Sequence, residues 1–262
     1  MSIKLITYKN LEKHSDKIVH FTSTRMGGTS KDLYDSLNLG LFTDDNPECI
    51  SKNRALLCSE LGINNNCLIS VHQIHGTDTM LIDKDFLKLP IEERKDKLEG
   101  YDALITNIPK ICIVVTTADC VPIILFDSKN KAVAAIHSGW RSTLNNILKE
   151  TIQKMEEAYG TKPEDLIASV GPCISKKVYE VGYDVFTEFT SRNAETESFF
   201  TAKENGKFLF DIREVVRLQL LKIGVKNIEV SPYCTYTNDD LFFSARRQGL
   251  KSGRMLSGIM IL

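Results

Sequence analysis

"VPIILFDSKNKAVAAIHS", Val121 to Ser138, is the stretch that decides the fold. Two runs that are apolar on consecutive positions flank the polar connection SKNK. Side chains of a strand alternate between its two faces. An unbroken apolar run therefore reads as a strand covered on both sides. A connection of this length makes a hairpin. With Asp127 and Ala132 as the closing pair, Pro122 lies opposite His137, and Cys120 lies beside Ser138 and Gly139 across the ladder. Neighbouring strands are about 5 Å apart, so the pairing carries a thiol and an imidazole to the open end of the hairpin.

Outward from the hairpin, further strand-like runs are KLITY, KIVHFTS, CLISVHQ, DALIT, ICIVVTT, LIASV, NIEVS and GIMIL. Three helices are expected. One follows Ser142, read as its N-cap, and ends at Gly160. A second spans KKVYEVGYDVFTEFTSR and is weakened by Gly182. The third, DIREVVRLQLLKIG, has Asp211 as N-cap and Gly224 beyond its end. Strands and helices do not alternate as in a doubly wound sheet. The expectation is an α/β layered sandwich, with mixed or antiparallel sheet and flanking helices, as one domain over residues 1–262. The polar stretch KLPIEERKDKLEG reads as a surface connection.

The charge balance of 33 basic and 34 acidic residues argues against nucleic-acid or membrane-surface partners. Lys4 and Lys9 interrupt the N-terminal segment before an apolar run develops, so no signal peptide is expected. The run near Ile111–Phe126 is too interrupted to span a bilayer. A cytoplasmic monomer is the expectation. The 7 cysteines are scattered without a CxxC pair, so neither a disulfide framework nor a zinc knuckle is indicated. Most of them, Cys173 and Cys234 included, read as small buried hydrophobes.

A catalytic zinc takes three protein ligands and keeps a fourth position open. Cys120 and His137 supply two. The sequence HQIHG offers two more imidazoles where a strand meets a glycine. His75 is chosen because it sits at the loop edge, whereas His72 lies within the strand and points to the other face. Asp119, beside Cys120, is a candidate proton shuttle or a ligand-orienting carboxylate. Arg25 in STRMGG is the candidate phosphate cradle, since Gly27 and Gly28 permit a close turn around an anion. Arg141 starts a helix and is a second anion-binding candidate. Asn38 in LNLG either contacts substrate or holds a turn. Arg246 and Arg247 read equally as salt-bridged charges. Trp140, Phe242 and Phe243 read as core aromatics that could stack a planar ligand.

Taken in order, FTSTRMGGTS, LNLG, HQIHG, YDALIT, TTADCVPIILFD, AAIHSGWR, GPCI, CTYTNDDLFFSARRQG and GRMLSGI resemble the bacterial purine nucleoside phosphorylase family. That family was earlier described as multicopper polyphenol oxidase or laccase-like, and its mammalian relative is a macrophage immunometabolic enzyme. The resemblance runs from about Phe21 to the C-terminus. It departs at Ser138, where alanine is expected, adding a hydroxyl beside the site. It implies one zinc ion held by His75, Cys120 and His137, with copper only as an adventitious substitute. It further implies phosphorolysis of adenosine, inosine, guanosine and methylthioadenosine, and hydrolytic deamination of adenosine. Copper-dependent polyphenol oxidation and a peptidoglycan-precursor quality-control role are the rival readings.

Overall fold

Apolar residues on both faces of the central strands demand cover on both sides, and the chain supplies it as layers. The computed structural model describes residues 2–262. In chain order the strands are β1 (Leu5–Ile6), β2 (Ile18–Ser23), β3 (Leu68–Ser70), β4 (Thr79–Leu81), β5 (Ala103–Thr106), β6 (Cys112–Thr117) and β7 (Val121–Asp127). β8 (Ala132–Ser138), β9 (Leu166–Val170), β10 (Glu180–Val181), β11 (Phe200–Ala202), β12 (Phe208–Phe210), β13 (Asn227–Val230) and β14 (Met255–Ile261) follow. One mixed sheet runs β13-β9-β7-β8-β5-β4, a second runs β1-β2-β14-β6-β3, and a small third runs β10-β12-β11.

The alternation within β7 shows how the layers form. Ile124 and Phe126 join Ile113, Val115 and Ile259 of the other large sheet in one core. Ile123 and Leu125 point the opposite way, into a core built with Leu148, Ile152 and Met155 of the helix Ile147–Tyr159 and with Val215, Val216 and Leu220 of the helix Ile212–Ile223. On the far face of the second sheet, Val114 and Leu256 meet Leu57 and Cys58 of the helix Pro47–Leu61. The order is helix, sheet, sheet, helices. Each buried aliphatic side chain contributes roughly 1.5–3 kcal/mol, so strands that feed two cores sit at the centre.

Several helix boundaries differ from expectation. Ser142 caps nothing: a short helix, Trp140–Leu144, starts after Gly139, and Asn146, left-handed at φ 61°, separates it from Ile147–Tyr159. Gly160 does end that helix, at φ 71°. Gly182 is a start rather than a weak interior, because the residues before it form β10 and the helix is Tyr183–Arg192. Asp211 and Gly224 flank the helix Ile212–Ile223 as expected. KLPIEERKDKLEG holds a helix of its own, Ile91–Lys97. No helix among the described residues is long and apolar enough to cross a membrane.

Candidate metal centre

The hairpin places two donors. Asp127 pairs with Ala132 and Pro122 with His137, so Cys120, one residue ahead of β7, arrives beside Gly139. The pairing of β5 with β8 continues this geometry. Ala103 faces Ile136, which sets Asp102 across from His137. The His137 main-chain N–H donates to the Asp102 carbonyl at 2.8 Å, and His137 Nδ1 lies 2.6 Å from Asp102 Oδ1. With Nδ1 engaged by a carboxylate, Nε2 is the nitrogen left for an ion, the usual arrangement of a metal-binding imidazole.

The third donor comes from the loop after β3. Main-chain N–H groups of Ile74, His75 and Gly76 all donate to the buried Asp102 carboxylate, at 3.1, 3.0 and 2.7 Å. These bonds hold His75 at φ 63°, a left-handed conformation that non-glycine residues seldom adopt. One carboxylate thus sets both the His75 loop and the His137 ring. Cys120 Sγ lies 3.8 Å from His75 Nε2, and donor atoms of His75, Cys120 and His137 all fall within 4.8 Å of one another. A tetrahedral zinc, with bonds of about 2.3 Å to sulfur and about 2.0–2.1 Å to nitrogen, sets its ligands about 3.5 Å apart. The donor set fits zinc in type and spacing.

Charge reinforces the fit. Burial alone would raise the Cys120 thiol, but the His137 and His75 imidazoles outweigh it and hold the thiol well below its ordinary value. Burial opposes protonation of His137, and the Cys120 sulfur and Asp102 overcome that and raise it. Asp102 is kept below the ordinary carboxylate range against its own burial by His137 and by the Gly76 and Ile74 N–H groups. The thiolate is the form of sulfur that ligates metal.

Gly139 is the close neighbour of all this. A Cβ built there would stand 2.6 Å from His75 Cδ2 and 3.3 Å from Cys120 Sγ. Its own φ of −73° suits any residue, so the cost of a side chain is steric and falls on the ligands. Gly139→Ala is expected to lower zinc affinity at least about tenfold, the scale of a disturbed ligand arrangement, while thermal unfolding of the metal-free protein stays close to wild type. Competition with a chromophoric chelator measures the first and calorimetry the second.

His75 and Cys120 open onto a recess of about 100 Å³ lined also by Asp119, Trp140, Arg141, Ile174, Tyr179 and Ile212. Arg141 is exposed, with its guanidinium 4.2 Å from the Trp140 ring centroid. Tyr179, which the sequence reading missed, presents a half-buried phenol that burial and the nearby Cys120 sulfur push upward, so it keeps its proton. Asp102 was missed as well. Its sequence signal was an acid at the mouth of the apolar run DALIT.

Other candidates find different work. The Asp119 carboxylate accepts from Thr235 Oγ1, Ser244 Oγ and the Arg246 N–H at 2.5, 3.0 and 2.7 Å. It ties loops together, and a carboxylate so occupied gives no support to a proton shuttle. Arg25 donates to the carbonyls of Asp35 and Asp239 at 2.7 and 3.1 Å and packs over Phe243, outside the recess lining. Its guanidinium clasps loops. Asn38 is buried; its amide nitrogen donates to Thr43 and Asp45, and its oxygen accepts from the Gly40 and Arg254 N–H groups. The turn-holding alternative describes it. Arg247 donates to the carbonyls of Thr235, Tyr236 and Phe242 and needs no salt bridge. Phe242 and Phe243 are core residues, and Cys173 and Cys234 are buried. His72 pairs with Glu99 and stacks on Phe42, away from the centre. The Ser138 hydroxyl turns to Thr143 Oγ1 at 2.7 Å.

The family described as multi-copper polyphenol oxidoreductase laccase matches residues 19–262. The chain belongs to that family. A protein of Bacteroides thetaiotaomicron named purine nucleoside phosphorylase is 40% identical over 98% of this chain and 96% of its own length. A protein named adenosine deaminase RL5, from an unknown prokaryotic organism, is 34% identical over 94% of this chain and 95% of its own. The crystal structure of the Bacillus licheniformis hypothetical protein YfiH superposes with a TM-score of 0.89 at 27% identity, covering 100% of this chain and 97% of that one. The fold is therefore that of the YfiH-type structures.

Proposed function

We propose that this chain is a zinc-dependent enzyme of purine nucleosides. It phosphorolyses adenosine, inosine, guanosine and methylthioadenosine, and it deaminates adenosine hydrolytically. The relatives' names supply the substrate class. The observation that carries the reading is the triad of His75, Cys120 and His137 drawn together by Asp102.

When bound, zinc on one thiolate and two imidazoles lowers the pKa of a coordinated water to roughly 7 and so supplies hydroxide at neutral pH. The protein's residues arrange the rest. Asp102 fixes the His137 ring and the His75 loop. Tyr179, which lines the recess, keeps its phenol proton. Trp140 offers a ring beside it, and Arg141 offers a guanidinium at the rim, so the phosphate role passes from Arg25 to Arg141. A recess of about 100 Å³ receives one edge of a purine, since sites that enclose whole ligands run to about 300–1,000 Å³. The sugar and phosphate then lie at the open rim, where Arg141 stands.

The copper reading draws support from the family's description alone. Multicopper chemistry needs several ions held mostly by imidazoles. The sequence has 5 histidines, and the described residues form one converging donor group.

Metal analysis of the purified protein, followed by incubation with each nucleoside and phosphate, tests the proposal. Adenine with ribose-1-phosphate, or inosine from adenosine, is expected from the zinc form, with no oxygen-dependent turnover of phenols. No product from any of the nucleosides defeats it. Arg141→Met, which keeps the aliphatic stem, is expected to raise KM for phosphate about 10–100-fold, the loss of one charged hydrogen bond. Deamination, which uses no phosphate, stays near wild type. Equal loss of both activities removes Arg141 from the phosphate site.

A further inference from the structure

Two of the three donors stand on crossings between the large sheets. The chain leaves the second sheet at the end of β3 and enters the first at β4, and His75 lies on the way. The connection from β6 to β7 crosses in the same sense and carries Cys120. His137 differs: it belongs to β8, which is laddered on both sides by β5 and β7. Sheets packed face to face lie about 10 Å apart and interlock through side chains alone. The spacing of His75 from Cys120 is therefore only as exact as whatever ties one crossing to the other.

Gln73 makes such a tie. The ladder of β3 on β6 ends where Ser70 faces Val114. Beyond it the main chain turns away, and the His72 N–H and carbonyl engage Leu98 and Gly100 instead. At Thr116, further along β6, the Gln73 side chain stands in for the missing strand. Its Oε1 accepts from the Thr116 main-chain N–H at 2.7 Å and from Thr116 Oγ1 at 2.8 Å, and its Nε2 donates to the Thr116 carbonyl at 2.9 Å. The amide has one orientation, because the N–H requires an acceptor and the carbonyl a donor. Gln73 precedes His75 by two residues, and Thr116 precedes Cys120 by four. The three N–H groups that follow Gln73 are held by Asp102 on the first sheet, so the His75 loop is pinned to both sheets. On the other crossing, Asp119 sits at φ 92° with its carboxylate engaged and its carbonyl accepting from the Ile174 N–H at 3.0 Å. Between these anchors, His75 Nε2 and Cys120 Sγ stand 3.8 Å apart.

We propose that Gln73 is a positioning residue of the metal centre: its amide staples the His75 loop to the strand that delivers Cys120, and so holds these two donors at the span of one ion. This rests on the triad being a metal site and is independent of the substrate.

Gln73→Leu removes all three bonds at nearly constant volume. It is expected to weaken zinc binding about 10–100-fold, the scale for groups that orient metal ligands, as read by competition with a chromophoric chelator. Cobalt is the second probe, since its visible absorption reports coordination geometry. The bands of the cobalt-loaded variant are expected to weaken and shift from those of wild type. A double-mutant cycle separates positioning from general damage. In a His75→Ala background, where the loop has no donor left to place, Gln73→Leu is expected to change zinc affinity less than about twofold by direct calorimetric titration. A full 10–100-fold loss that persists in that background overturns the proposal. So does a lowered metal-free Tm with zinc affinity and cobalt spectrum unchanged, which would make the amide a bond of the fold alone. Wild type that takes up neither metal removes the centre and the staple with it, whereas failure in Gln73→Leu alone leaves the metal centre standing.

Discussion

Cys120→Ser is expected to yield a folded protein that retains almost no zinc after dialysis and turns over purine nucleosides at least about 10²-fold more slowly. The thiolate is the one anionic donor of the triad, and a neutral hydroxyl is a poor substitute for it. Sγ sits at the end of β7 next to Gly139, partly buried, and serine keeps nearly the same volume, so the exchange removes little packing. A thermodynamic signature separates ligand loss from damage. Saturating zinc stabilises a protein that binds it only when folded, by about 4 kcal/mol at a thousandfold excess over Kd. Wild type should therefore gain several degrees in Tm on adding zinc. Cys120→Ser should gain almost nothing, while the two metal-free proteins melt together. Stoichiometric zinc in the variant would remove the thiol from the site. Zinc loss with unchanged turnover would remove the metal from catalysis.

The sequence made the hairpin legible because its register depends on local facts: two runs of equal length, a short polar turn and a closing pair. Those facts brought Cys120 to His137 without knowledge of any other strand. His75 was reachable because HQIHG marks a loop edge. Asp102 was not, since its place depends on β5 pairing with β8, a long-range choice that the alternation of DALIT does not encode. The other candidates share a circumstance. Asp119, Arg25 and Asn38 are polar residues in chain segments that the fold covers, and covered backbone demands hydrogen-bond partners. Side chains that look available for substrate in a linear reading are consumed by neighbouring N–H and C=O groups. The helix Pro47–Leu61 shows a different omission. Its punctuation was present, with Asn46 capping the Glu48 N–H, Pro47 at the first position and Gly62 beyond the end, but few of its apolar residues align on one face. β11 and β12 are three residues each, too short for any periodicity to declare them.

Asp102→Asn is expected to be the most damaging single-atom-scale change in the molecule, with effects on both fold and metal. The buried carboxylate accepts from three consecutive main-chain N–H groups and from His137. All four are donors, and an amide offers one oxygen where the carboxylate offers two. Its NH₂ must then take either the Oδ1 position, forcing the His137 ring to the other tautomer with a proton on the metal-facing Nε2 and depriving the His75 N–H of its acceptor, or the Oδ2 position, where the Ile74 and Gly76 N–H groups lose theirs. Leaving buried donors unsatisfied costs about 1–3 kcal/mol each, so metal-free Asp102→Asn should melt several degrees below wild type, unlike Cys120→Ser. Loss of the carboxylate behind a metal-binding imidazole typically costs 10–100-fold in affinity, and slackening of the His75 loop adds to it. Zinc affinity is therefore expected to fall by at least about 10²-fold. Amide hydrogen exchange distinguishes the routes: protection at Ile74 and Gly76, which share Oδ2, should collapse if the NH₂ takes that position, whereas protection at His75, which shares Oδ1 with His137, should collapse if the NH₂ faces His137. Unchanged zinc affinity together with unchanged protection would mean that the triad assembles without its shared carboxylate, and the argument from Asp102 to a built metal centre would fail with it.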